Sequence, residues 1–205
     1  MNGLTKSLVI ACGALAHELT AVIKRNGWDH LEIQCLPARL HNTPDKITGA
    51  VRDKIHAGRG KYRNIYVAYA DCGTGGHLDA MLKEEGVERI GGNHCYEFFA
   101  GTSAFAAISE TELGTFYLTD YLAWHFDRLI LGDLGINEHP ELLNLYFGNY
   151  KRLVYLAQRR DEALIEKARS AAEKLGLEFE YRLTGLGPFN QALHDMDPGQ
   201  LPWRN

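Results

Sequence analysis

Two hydrophobic patterns alternate along the chain. Continuous apolar, β-branched and aromatic runs predict strands at Ser7–Ala11, Leu31–Leu36, Asn64–Ala70, Val87–Ile90, Arg152–Ala157 and Leu177–Leu183. Unbroken runs of this kind fit strands covered on both faces, as in a parallel sheet. Between them the period changes to that of a helix. Leu15, Leu19, Val22 and Ile23 share one face, and Gly27 follows as a stop. Pro44 opens a helix carrying Ile47, Val51 and Ile55, and Leu78, Met81 and Leu82 form a third stripe ended by Gly86. Asp161 to Leu175 buries Leu164, Ala168, Ala171, Ala172 and Leu175 along one side, with Gly176 after it. Strands alternating with helices predict an α/β fold with an open, doubly wound, mostly parallel sheet.

The stretch from about 95 to 150 breaks this rhythm. Leu118, Tyr121, Leu122, His125 and Leu129 read as one helical face, and Glu141 to Phe147 as a second short helix. The expectation is a helical insertion between the fourth and fifth strands of one sheet, within a single domain covering 1–205. Its aromatic residues, among them Phe116, Tyr117, Trp124, Phe126, Tyr146 and Phe147, recur at helical spacing and fit a packed core better than a docking surface.

Composition narrows the class. The chain has 205 residues, 45% of them hydrophobic, which is enough for a substantial core. Lysine and arginine number 22 against 26 acidic residues, for a net charge of −4 with no block of one sign, so nucleic acid is not an expected partner. No apolar run approaches the roughly 18 residues of a membrane span. Met1 to Lys6 lead into a strand without the apolar stretch of a signal peptide, so a cytoplasmic location is expected.

In an open parallel sheet, ligands gather outside the carboxyl ends of the strands. Cys12 ends the first predicted strand, Cys72 follows the third and Cys95 follows the fourth, each beside glycine or histidine. Taken singly, each fits a small buried hydrophobe. Their repeated placement at strand tips instead suggests a shared metal site, because soft sulfur ligands select zinc or iron–sulfur clusters and three of them leave an open position. Cys35, inside a strand, is excluded from this set. His94 and His41 at the same edge are candidate acid–base groups, with Glu97 as a candidate base or orienting carboxylate. Gly73, Gly75 and Gly76, between a strand and a helix, read either as a tight turn or as a cofactor phosphate cradle.

Further motifs are Leu36-Pro-Ala-x-Leu-His41-Asn-x-Pro44, Asp71-Cys-Gly, His94-Cys-Tyr-Glu97, Thr119-Asp-Tyr121, Phe147-Gly-Asn-Tyr150 and Thr184-Gly-Leu-Gly187. Together with Ala11-Cys12-Gly13 they resemble a bacterial and archaeal domain-of-unknown-function family that often accompanies corrinoid-dependent methylamine and betaine methyltransferases. The resemblance implies a setting in one-carbon or methylated-amine metabolism, with corrinoid proteins as possible partners and a corrinoid as a possible cofactor. It also marks Cys12, Cys72, Cys95, His41 and His94 as family-like positions.

The leading expectation is therefore a metal-dependent enzyme or accessory acting on a small molecule, with an iron–sulfur cluster preferred over zinc at Cys12, Cys72 and Cys95. The alternatives are a non-catalytic module holding a corrinoid or corrinoid protein, and a nucleotide-binding enzyme built on the glycine turn.

Overall fold

The computed structural model describes residues 5–196. Strands and helices alternate as expected, and every strand pairing is parallel. The strands form two sheets where the sequence pattern suggests one. The chain accordingly divides into two compact units, Met1–Cys95 with Phe189–Asn205, and Tyr96–Pro188.

The first unit contains β1 (Ser7–Cys12), α1 (Ala16–Asn26), β2 (Leu31–Leu36), α2 (Ile47–Gly58), β3 (Ile65–Ala68), α3 (His77–Glu85) and β4 (Glu88–Arg89). Its sheet runs β2-β1-β3-β4. Leu8, Val9, Ile10 and Ala11 of the inner strand β1 are wholly buried, which is why this strand reads as an unbroken apolar run. The chain steps from β1 to β2 on one side and then crosses back to β3 and β4 on the other. With right-handed crossovers, α1 covers one face while α2 and α3 share the opposite one, where α2 packs against α3. The direction of winding reverses between β1 and β3, so a crevice opens outside their carboxyl ends.

The second unit contains α4 (Tyr96–Ala100), α5 (Thr102–Thr111), β5 (Thr115–Leu118), α6 (Asp120–Phe126), α7 (Leu142–Phe147), β6 (Arg152–Ala157), α8 (Glu162–Leu175) and β7 (Glu178–Leu183). Its sheet runs β5-β6-β7. Alternation along β6 sends Leu153, Tyr155 and Ala157 to a core shared with Leu164, Ala168 and Ala172 of α8, while Val154 and Leu156 meet Phe105 and Ile108 of α5. The predicted helical insertion therefore contains a strand. Thr115–Leu118 pairs with β6, and the helical face read from Leu118 onward begins at Asp120. A strand of four residues running directly into a helix leaves too short an alternation to stand out. Most of the insertion's aromatic residues are core: Tyr117, Phe126 and Phe147 are buried, whereas Trp124 and Tyr146 are exposed. At the carboxyl ends of β5 and β6, the buried Asp120 carboxylate accepts hydrogen bonds from the Tyr155 hydroxyl (2.7 Å) and the Gln158 amide (3.0 Å). The last helix, α9 (Gly187–Met196), places Asn190 2.6 Å from the Asn26 side-chain amide of α1.

Candidate functional site

Four of the residues singled out in the sequence, Cys12, His41, Cys72 and Cys95, lie at or beyond the carboxyl ends of the strands of the first sheet. Cys12 is the last residue of β1, and its buried sulfur accepts the Ala14 amide (3.4 Å), capping the short 3-10 turn Gly13–Leu15. His41 lies on a second 3-10 turn, Ala38–Asn42, which follows β2. Its Nδ1 lies 3.1 Å from the Ala38 carbonyl oxygen and 3.7 Å from the Cys12 sulfur. Two glycines allow this loop to close over the strand ends. A Cβ on Gly13 would stand 3.0 Å from the Leu36 carbonyl oxygen, and one on Gly73 would stand 3.4 Å from the Pro44 ring. Tyr69, just past β3, stacks on the His41 ring with centroids 6.3 Å apart.

Cys72 follows on the same segment with φ 50°, the one positive-φ non-glycine residue among the described residues. A built turn holds it there. The Asp71 carboxylate accepts the Thr74 hydroxyl (2.6 Å) and the Gly76 (2.9 Å) and Gly75 (3.2 Å) amides. The Asp71 and Cys72 amides donate to the Gly92 and Asn93 carbonyls (3.2 and 3.1 Å), fastening this segment to the loop that carries Cys95. Arg89 secures that loop from the other side. Its guanidinium grips both Asp79 oxygens of α3 and donates to the Ile90 and Gly92 carbonyls.

Cys95 and His41 beside it favour the Cys72 thiolate and outweigh burial, holding Cys72 down to about 5. The nearby Cys72, reinforced by burial, pushes Cys95 well above the usual thiol range. Burial alone would lower His41, but the neighbouring Cys12 and Cys72 prevail and bring it up to about 11. Burial, then the nearby Cys12, raises Tyr69. These shifts favour a thiolate at Cys72 beside an imidazolium at His41, with Cys95 protonated. Among the described residues, the buried His41 Nε2 has no hydrogen-bond partner.

Of the predicted residues, His41 lies beside Cys12, and Cys72 and Cys95 sit on two segments joined by backbone hydrogen bonds. His94 is exposed, and Glu97 is buried on α4 of the second unit. Cys35 is exposed on β2, opposite Ala11. The amides of Gly75 and Gly76, which a cofactor phosphate would need, are taken by the chain's own Asp71, whose negative charge opposes a second anion there. Among the described residues, no group of three or more His, Cys, Asp or Glu side chains is arranged to hold a metal ion. The sequence reading missed Tyr69, which looks like one more strand aromatic, and Arg89. Asp71 was legible in principle, since aspartate ahead of Thr-Gly-Gly is a turn-capping pattern.

The first unit is thus a parallel α/β unit with a thiol–imidazole cluster at its topological switch point. Residues 35–193 match the model of DUF1638, a family described as a protein of unknown function, and the chain belongs to that family. The matched region includes His41, Cys72 and Cys95, with Cys12 ahead of it. No curated protein matches the chain. No helix among the described residues is long and apolar enough to cross a membrane.

Proposed function

We propose that this protein works by thiolate chemistry, with Cys72 as the sulfur that attacks or binds a soft electrophilic group on a small molecule. The observation that carries this reading is the placing of Cys72, on the turn that Asp71 closes, beside Cys95 and His41. A thiolate, not a thiol, is the nucleophile, and an adjacent imidazolium is an established means of producing one near neutral pH. Cys12 holds His41 in place, and Cys95 stabilises the negative sulfur. The corrinoid-linked setting implied by the family resemblance would supply a methyl group as the electrophile, with Cys72 its acceptor.

Labelling with a limiting amount of iodoacetamide at mildly acidic pH, followed by peptide mapping, tests the assignment. Cys72 should be modified ahead of the more exposed Cys35. Labelling of Cys35 with Cys72 spared would reject it.

A second reading, an iron–sulfur cluster or zinc held by Cys12, Cys72 and Cys95, is favoured by the gathering of three sulfurs and an imidazole at one sheet edge. Such binding requires the shared thiol protons to leave and the sulfurs to rearrange, because thiols ligate as thiolates. Protein purified without oxygen would then carry stoichiometric zinc, or iron with sulfide, and a Cys72→Ala variant would lose it. Metal-free protein with a reactive Cys72 would discard this second reading.

A further inference from the structure

We propose that Cys72 and Cys95 form a dithiol pair that is oxidised to a disulfide by small disulfide compounds and reopened by thiols. The inference rests on the reading of Cys72 as the reacting sulfur and adds a second sulfur with a defined role. Both cysteines are free thiols in this structure. The Cys72 and Cys95 side chains lie beside one another. The backbones that carry them are joined as well, because Asp71 and Cys72 donate to Gly92 and Asn93 and extend the β3–β4 pairing beyond the strands. Arg89 anchors the Cys95 side of this ladder through Ile90 and Gly92. Two neighbouring thiols on segments fixed to one another are placed to bond.

The remaining cysteines are placed differently. Cys12 is engaged by the Ala14 amide and His41, and Cys35 is exposed on β2. Cys72 and Cys95 are both half-buried. Cys72, the sulfur that carries the charge, is the one that attacks an oxidant first. The Cys72 thiolate attacks one sulfur of the external disulfide, forming a mixed disulfide and expelling the other half as a thiolate. Cys95 then gives up its proton and attacks the Cys72 sulfur, and the second half leaves as a thiol. Two protein thiols are oxidised and one external disulfide is reduced to two thiols, with His41 beside the sulfurs to accept or return protons.

Full-length protein incubated with oxidised glutathione, alkylated and mapped by mass spectrometry provides the test. The wild-type chain should lose two free thiols and yield a peptide pair linked through Cys72 and Cys95. The Cys95→Ser variant should instead accumulate glutathione on Cys72, and Cys12→Ser should still form the internal disulfide. A disulfide joining Cys12 to Cys72, or a stable mixed disulfide in the wild type, overturns the dithiol pair while leaving the thiolate assignment intact. A Cys72 inert to both glutathione disulfide and iodoacetamide overturns the two together.

Discussion

At the scale of single residues, the site depends on His41 reaching Cys12 and Cys72 at once. Removing its charge with His41→Gln leaves Cys95 as the main neighbour favouring the Cys72 thiolate. The midpoint of Cys72 alkylation should then rise by about 1–3 pH units, the usual effect of losing an opposite charge at contact distance. An unchanged midpoint would show that His41 does not act on that sulfur. Gly13→Ala tests the seating of the same loop. The added methyl meets the Leu36 carbonyl oxygen at 3.0 Å, so the chain after β2 must shift. The expected cost is about 1–3 kcal/mol in denaturant unfolding, together with a rise in the Cys72 midpoint. The two charges also set opposite limits in pH. Cys72, depressed in the fold, contributes stability above the ordinary thiol range and loses it as pH falls through about 5. His41, raised in the fold, contributes below its ordinary value of 6.5 and loses it as pH climbs through about 11. Acid disruption of the pair therefore belongs to the cysteine and alkaline disruption to the histidine.

At the scale of elements, caps and turns bear the testable load. Asp161 accepts the Ala163 and Leu164 amides at the start of α8 (3.1 and 3.2 Å). Asp161→Ala should lower stability by about 1 kcal/mol in thermal or denaturant unfolding, with no effect on thiol reactivity. Helix α8 was fully readable in the sequence because cap, stripe and terminal glycine all agree over fourteen residues. Strand β1 was readable because its burial on both faces writes an unbroken apolar run. Strand β5 was not, since four residues between Gly114 and a Thr119-capped helix carry too little alternation to compete with the following helical pattern. The places of Cys12 at the end of β1, and of Cys72 and Cys95 on the segments that follow β3 and β4, could be anticipated from the strand pattern. Their pairing could not, because it depends on strand order and on the turn that Asp71 closes. The same turn explains why a glycine run resembling a phosphate cradle binds its own carboxylate instead.

At the scale of the whole molecule, the two sheets imply two separately organised cores. The fragment 96–188 contains complete β5, β6 and β7 with the helices that cover both faces of β6. Expressed alone, it should give a helical circular dichroism spectrum and a cooperative thermal transition; a featureless, unfolded fragment would contradict the division into units. All of the proposed chemistry belongs to the first unit, and it reduces to the ionisation state of one sulfur. The most direct measurement is the rate of Cys72 alkylation as a function of pH, resolved from the other cysteines by peptide mapping. The thiolate–imidazolium arrangement predicts a midpoint of about 5, with Cys95 unreactive through neutral pH. A Cys72 midpoint near the ordinary thiol value of 9.0 would contradict it.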